Sequence, residues 1–285
     1  MMKKAIILDV DGVIIGEKKG INTPHPHVDV MKKLQDIRKT GVPVVLCTAK
    51  PAFAIEYEIK HAELNNPHIA DGGGLLVDNI GRVYEKYTLE KNLAKEIIKT
   101  LLDNKIYTEV YTADDYVIQA DQEGEITDKH AFVLNRRPKV VDSLLDFCDS
   151  HEVSKIMQVV QNENWKPFGE KVFSPFKERS TMVWAIHPPI VPLQFGIITA
   201  LGISKPQGVA NISNLIDVPL ENILAVGDST SDWKFMSLCG YAGAMGNATE
   251  ELKELVKSKG DGKFIIGGHV DDNGIVEILD WYLST

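Results

Sequence analysis

Cysteine is nearly absent from this chain: Cys47, Cys148 and Cys239 are the only three in 285 residues. An odd number with no CxxC spacing suggests neither a disulfide framework nor a zinc site, so all three read as small core residues of a reducing compartment. Long apolar runs are missing as well. Nothing approaches the roughly 20 residues that a membrane span needs, and behind Lys3 and Lys4 only a few apolar residues precede Asp9, too few for a secretory h-region. The expectation is a cytoplasmic protein with no membrane partner. Positive charge is in deficit too, with 31 Lys and Arg against 40 Asp and Glu and a formal net charge of −9. Such a field repels nucleic acid and anionic lipid and argues against both as partners. No internal repeat or low-complexity stretch is found. What remains is ordinary globular composition, 44% apolar and 25% charged, in a chain long enough for one large domain or two.

The most informative run is Lys4-Ala5-Ile6-Ile7-Leu8-Asp9-Val10-Asp11-Gly12, an apolar strand that ends in two carboxylates one residue apart. On extended backbone Asp9 and Asp11 share a side while Val10 points back into the core. Crowded acids are unfavourable unless a cation neutralises them or one keeps its proton, and either outcome suits chemistry on an anion. Gly12 lets the chain turn sharply there. Two more apolar strands end in polar groups: 42–47 runs into Thr48, and 223–227 into Asp228, with Asp232 four residues on. Lys205 stands between them in Ile203-Ser204-Lys205-Pro206-Gln207-Gly208. Ligands of open parallel sheets bind at the carboxyl ends of the strands, where all these polar outliers fall.

Up to about residue 78, short apolar runs alternate with amphipathic stretches: strand 4–9, helix 28–40, strand 42–47, helix 51–62 and a short segment at 68–70. This is βαβ logic. From about 80 to 200 the texture changes to helices near 89–103 and 138–150 among strands at 108–119, 131–134, 155–160, 181–187 and 194–200, a mainly antiparallel pattern. Alternation resumes with helix 207–216, strand 223–227, helix 231–238, strand 242–245 and helix 249–258. The expected fold class is α/β: a Rossmann-like parallel-sheet core from residues 1–79 and 203–285, interrupted by an inserted α+β domain at 80–202.

The ordered set DxDG, strand-Thr, Lys and GDxxxD resembles the haloacid dehalogenase superfamily of aspartate-nucleophile phosphohydrolases. Ala244-Met245-Gly246-Asn247-Ala248 and the closing Asp271-Asp272-Asn273-Gly274-Ile275-Val276 resemble its Cof-type branch, so the resemblance covers nearly the whole chain. It implies that the insert is a C2 cap and that Asp9 is the nucleophile, becoming an aspartyl-phosphate. Asp11 would be general acid and then base, worth roughly 10²–10⁴-fold, which calls for a protonated Asp11 with a raised pKa. Mg²⁺ would sit on Asp9, Asp228 and the backbone carbonyl of Asp11, with Asp232 a further ligand or a partner behind them. Thr48 and Lys205 would bind the phosphate oxygens, Lys205 being favoured over Lys50, the rival cation where relatives often carry Gly-Arg. Two departures stand out: Ser231 replaces the branch's usual Asn, and Pro206-Gln207 follows Lys205 where the family often has Gly.

The activity so implied is a Mg²⁺-dependent phosphatase for a small phosphorylated metabolite, a sugar phosphate by preference, working as monomer or homodimer. A phosphomutase shares the scaffold. Receiver domains also join acids, Thr and Lys on a parallel sheet, but a nucleophile on the first strand and an insert between Thr48 and Lys205 do not suit one. A non-catalytic sensor is expected to have lost Asp9 or Asp11. Elsewhere, His25 and His27 read as a proline-stiffened surface loop and His269 as a turn near the last strand. In the insert, Arg136-Arg137 read as a solvated strand end and Trp165-Lys166-Pro167-Phe168 as packing, with substrate contact the rival reading for both.

Overall fold

The computed structural model describes residues 3–285. Its first part alternates strand and helix: β1 (Ala5–Leu8), α1 (Val28–Lys39), β2 (Val44–Leu46), α2 (Glu56–His61) and β3 (His68–Ala70). β4 (Leu75–Val77) and β5 (Val83–Lys86) form a hairpin, followed by α3 (Lys91–Asp103), β6 (Tyr107–Tyr111), β7 (Tyr116–Gln119), α4 (Glu125–Leu134), β8 (Lys139–Val141) and α5 (Leu144–Ser150). Then come β9 (Lys155–Val160), α6 (Lys166–Phe173), β10 (Ser180–Ala185) and β11 (Gln194–Ala200). The alternation returns with α7 (Lys205–Leu215), β12 (Ile223–Gly227), α8 (Trp233–Met236), β13 (Tyr241–Ala244), α9 (Glu250–Lys257), β14 (Phe264–Ile266) and α10 (Ile275–Ser284). Among the described residues no helix is long and apolar enough to cross a membrane.

Five strands make a parallel sheet in the order β14-β13-β12-β1-β2. β1 lies inside it and every residue of its Ala-Ile-Ile-Leu run is buried, as a strand covered on both faces requires. Leu8 registers with Val226 on one side and Leu46 on the other, so the three strands end level. Asp9, the Cys47-Thr48 pair and Gly227-Asp228 therefore emerge along one edge. From β1 the chain order runs outward in both directions, which makes this edge the topological switch point where α/β sheets bind ligands.

A second sheet, in the order β10-β11-β9-β6-β7-β8, is antiparallel except for its last pair. Its strands alternate faces: Val110, Ile156 and Ile198 pack under α3, α5 and α6, while Tyr111, Met157 and Phe195 face the other way. That second face meets α4 together with Ala49, Phe53 and Ala54, which follow β2 in the parallel-sheet part. A small antiparallel sheet, β3-β4-β5, continues beside β2 through a Cys47–Ile69 bridge.

The structure corrects several local expectations. Residues 131–134 end helix α4 instead of forming a strand: Thr127, His130, Ala131 and Leu134 are buried at helical spacing, and Asn135 closes the helix in the left-handed region. The helix expected over 138–150 is strand β8 plus α5, started by Ser143, whose side chain accepts from Asp146 N. The run 108–119 is a hairpin turned at Thr112–Asp115, not one strand. Strand 181–187 stops at Ala185, leaving His187 in the loop beyond it. The hairpin β4–β5 was not foreseen.

Candidate active site

Asp9 follows the last residue of β1, and its Oδ1 accepts from Val10 N at 2.8 Å. The chain then folds back sharply, with Ile14 N and Ile15 N both bonding Val10 O. Gly12 is required in this loop: its φ is +76°, and a Cβ there would lie 2.0 Å from Asp228 Oδ2. Asn247 clasps the loop from the far side, donating to Gly12 O at 2.9 Å and accepting from Val270 N at 2.9 Å.

At the end of β2, Thr48 is buried and its Oγ1 accepts from Lys50 N at 3.1 Å. Lys50 is buried too, and its Nζ lies 2.8 Å from Asp11 Oδ1. At the end of β12, Asp228 faces Gly12, while Asp232 folds back onto the turn: its Oδ2 accepts from Ser229 Oγ at 2.8 Å and Ser229 N at 3.1 Å. Its Oδ1 accepts from Lys205 Nζ at 2.8 Å, and the same ammonium lies 3.0 Å from Asp9 Oδ1. Lys205 opens α7, where Pro206 in the first turn removes an N–H that has no partner in the helix anyway. The departure from Gly therefore leaves the lysine's placement intact. Ser231 is exposed, and its Oγ bonds Ser229 Oγ at 2.7 Å.

Burial, then the Asp232 charge, raises the Asp9 carboxyl to about 7 in spite of Lys205. Asp228 is pushed well above the usual carboxylate range by burial and by Asp232 and Asp9. Asp232 goes the other way: burial opposes ionisation, but Lys205 and Ser229 overcome it. Asp11 reverses the expectation of a raised pKa. Burial does push it up, but Lys50 and then His187 outweigh burial and hold the carboxyl well below its ordinary value.

Asp9, Asp228 and Asp232 each bring a carboxylate oxygen within 4.8 Å of the others. Such crowding of hard oxygen donors suits Mg²⁺, and two of the three being driven toward protonation shows how much negative charge is uncompensated. Asp232 already has both oxygens engaged, so it serves better behind Asp9 and Asp228, holding Lys205. The Asp11 carboxylate is turned to Lys50 and His187.

The sequence-derived residues Asp9, Asp11, Thr48, Lys205, Asp228 and Asp232 thus gather at one edge. Lys50, ranked second there, is inside the site as well. His187 was missed: it comes from the loop after β10, its Nδ1 lies 3.4 Å from Asp11 Oδ2, and no sequence signal marks it. The other histidines stay outside. His25 pairs with Glu58 at 3.0 Å and stacks on Tyr57, His27 Nδ1 accepts from Asp29 N at the start of α1, and His269 caps its own turn through Asp271 N. In the second sheet's surroundings, Arg136 lies over Phe53, Arg137 pairs with Asp128, and Trp165 and Phe168 are exposed and pack edge to face on each other.

Residues 6–279 match the family model of the haloacid dehalogenase-like hydrolases, and the chain belongs to that family. Its relatives include phosphatase YwpJ of Bacillus subtilis, 24% identical over 272 residues that span 88% of this chain and 92% of that protein. The 5-amino-6-(5-phospho-D-ribitylamino)uracil phosphatase YwtE of the same species is 24% identical over 295 residues, spanning 99% of this chain and 98% of its own. Among solved structures, the subclass IIB sugar phosphatase BT4131 shares the fold with a TM-score of 0.78 at 17% identity, covering 99% of this chain and 100% of its own.

Proposed function

We propose that this hydrolase is a Mg²⁺-dependent phosphatase that cleaves a small phosphomonoester, a sugar phosphate by preference, through an aspartyl-phosphate on Asp9. The observation that carries the reading is the placement of Asp9 at the switch point, with Lys205 at 3.0 Å bridging it to Asp232 and the Asp228 carboxylate close by. Asp9, Asp228 and the Asp11 carbonyl would hold Mg²⁺, which would supply positive charge facing the phosphate oxygens and favour the ionised form of Asp9. An Asp9 oxygen bonds to phosphorus as the ester P–O bond breaks, and Asp11 gives its proton to the departing oxygen. Water then gives a proton to Asp11 and attacks phosphorus, which frees Asp9 and releases inorganic phosphate.

Lys205 and Thr48 bind the non-bridging oxygens throughout. Lys50 holds Asp11 ionised before substrate arrives; when its ammonium, still beside Oδ1, also meets the incoming phosphate, its charge is shared, and burial then favours Asp11 taking up a proton from solvent. Residues 80–202 act as a cap, since their second sheet packs on the segment just after Thr48 and restricts the site to small substrates. The sugar-phosphate preference is supported by two relatives, the sugar phosphatase BT4131 and YwtE, which acts on a phosphoribityl compound.

Inorganic phosphate release from sugar phosphates, nucleotides and an aryl phosphate, measured with Mg²⁺ and with chelator, tests the reading. Release that needs both Mg²⁺ and Asp9 supports it. Release that persists in Asp9→Asn, or conversion of a sugar phosphate to its isomer without release, overturns it.

A further inference from the structure

His187 belongs to the second sheet's part of the chain, just past the end of β10, yet it reaches the nucleophile loop. It is 5% exposed, and its Nδ1 lies 3.4 Å from Asp11 Oδ2. That distance is too long for a good hydrogen bond, and the atom has no other partner among the described residues. A buried polar atom left in this state calls for an explanation, and a catalytic role is one. Catalytic hydrogen bonds are often loose before substrate binds and tighten in the reacting complex.

The ring is held from behind. Phe195 packs on it edge to face with ring centroids 4.8 Å apart, and His130 lies 5.4 Å away, itself against Phe195 at 4.6 Å. His130 is fully buried and fixed by Glu109, whose two oxygens both lie 2.9 Å from its Nδ1, and Tyr111 donates to the same carboxylate. Glu109, Tyr111 and Phe195 stand on β6 and β11, so His187 is braced by the sheet rather than carried by a free loop. Asp11 is then gripped from two sides. Lys50 takes Oδ1 from the core at 2.8 Å, and His187 faces Oδ2 from the insert.

We propose that His187 is a positioning residue for Asp11, fixing the carboxyl that protonates the leaving group, so that efficient proton transfer requires the insert to be seated on the core. This rests on Asp11 being the general acid. A carboxyl fixed at both oxygens keeps its plane aimed at one place, and a misplacement of about 1 Å is enough to lose roughly 10²-fold.

Leaving-group chemistry separates positioning from mere folding. An alkyl phosphate needs the proton from Asp11 when its ester bond breaks; an aryl phosphate such as p-nitrophenyl phosphate leaves without one. The quantity to compare is kcat/KM, which reports steps up to leaving-group departure and not the later hydrolysis of the aspartyl-phosphate. His187→Ala is expected to lower kcat/KM on the alkyl phosphate roughly 10–100-fold while changing the aryl phosphate about twofold or less. His187→Asn, which keeps a nitrogen near the Nδ1 position, is expected to recover most of the loss. Equal losses on both substrates, or an Asn variant no better than Ala, overturn the proposal. Asp11→Asn is run alongside: if it shows no selective loss on the alkyl phosphate, the acid assignment fails, and the proposal for His187 fails with it; if it does and His187→Ala does not, only the latter fails.

Discussion

Asp9, Asp228 and Asp232 repel one another, and one ammonium on Lys205 cannot neutralise three carboxylates. The consequence is a pH dependence with a definite sign. Asp9 rises from the usual 3.8 to about 7 and Asp228 rises as well, so between those limits the folded protein binds more protons than the unfolded chain. Stability from this source is complete below the unfolded value and is lost as pH rises through the folded one. A divalent cation removes the penalty by favouring the ionised acids. The thermal shift produced by Mg²⁺ should therefore be larger at about pH 8 than at about pH 5, and calorimetry at both checks it; an equal shift would mean that these carboxylates do not hold the ion. Asp9, Thr48 and Asp228 were legible in the sequence because a buried apolar strand seldom ends in a polar group without something to satisfy it. His187 was not, and Lys50 was read only as a rival to Lys205, since the meeting of both with Asp11 depends on how the segment after β2 and the loop after β10 come to rest on the same carboxylate.

The elements that position the site have little slack. The loop after β1 survives only because Gly12 has no side chain, and Asn247 ties that loop to the segment before α10. Gly12→Ala puts a Cβ where Asp228 Oδ2 lies and strains a backbone at φ +76°. Expected results are loss of the Mg²⁺-induced thermal shift and a fall in kcat/KM on the order of 10²-fold, with overall secondary structure kept by circular dichroism. Normal kinetics in this variant would show that Asp228 is free to move. β1, β2, β12 and β13 of the parallel sheet were readable because each is a short apolar run within an alternating pattern; β14 was not foreseen. Residues 131–134 misled for the opposite reason: Ala-Phe-Val-Leu looks like a strand in isolation, and only the buried Thr127 and His130 one turn earlier reveal the helical face. Both are polar, and His130 is buried only because Glu109 is there to pair with it. The β4–β5 hairpin escaped notice because β5 is largely exposed and carries no apolar signal.

At the scale of the whole molecule, the parallel-sheet part and the second sheet are joined by a buried ion pair. Lys155 on β9 lies 2.8 Å from Asp71 Oδ1 in the turn after β3, bonds Ala49 O at 3.0 Å, and sits 4.1 Å from the Tyr111 ring centroid. Both charged side chains are fully buried. Lys155→Met strands Asp71 in the interior and should destabilise the protein by roughly 3–5 kcal/mol, measurable by denaturant unfolding; a change under about 1 kcal/mol would show that Asp71 finds water or another partner. The change from alternating to mainly antiparallel texture near residue 80, and back near 200, was legible in the sequence, but the way the two sheets meet was not, because it depends on pairs such as this that lie far apart in sequence. The most direct test of the chemistry is to give Asp11→Asn the aryl phosphate with Mg²⁺, quench in acid, and map the bound phosphate by mass spectrometry. Without Asp11 to activate water, phosphate should accumulate on Asp9 and be missing when Asp9 is also replaced by Asn; phosphate on another residue, or turnover undiminished without Asp9, would contradict the aspartyl-phosphate mechanism.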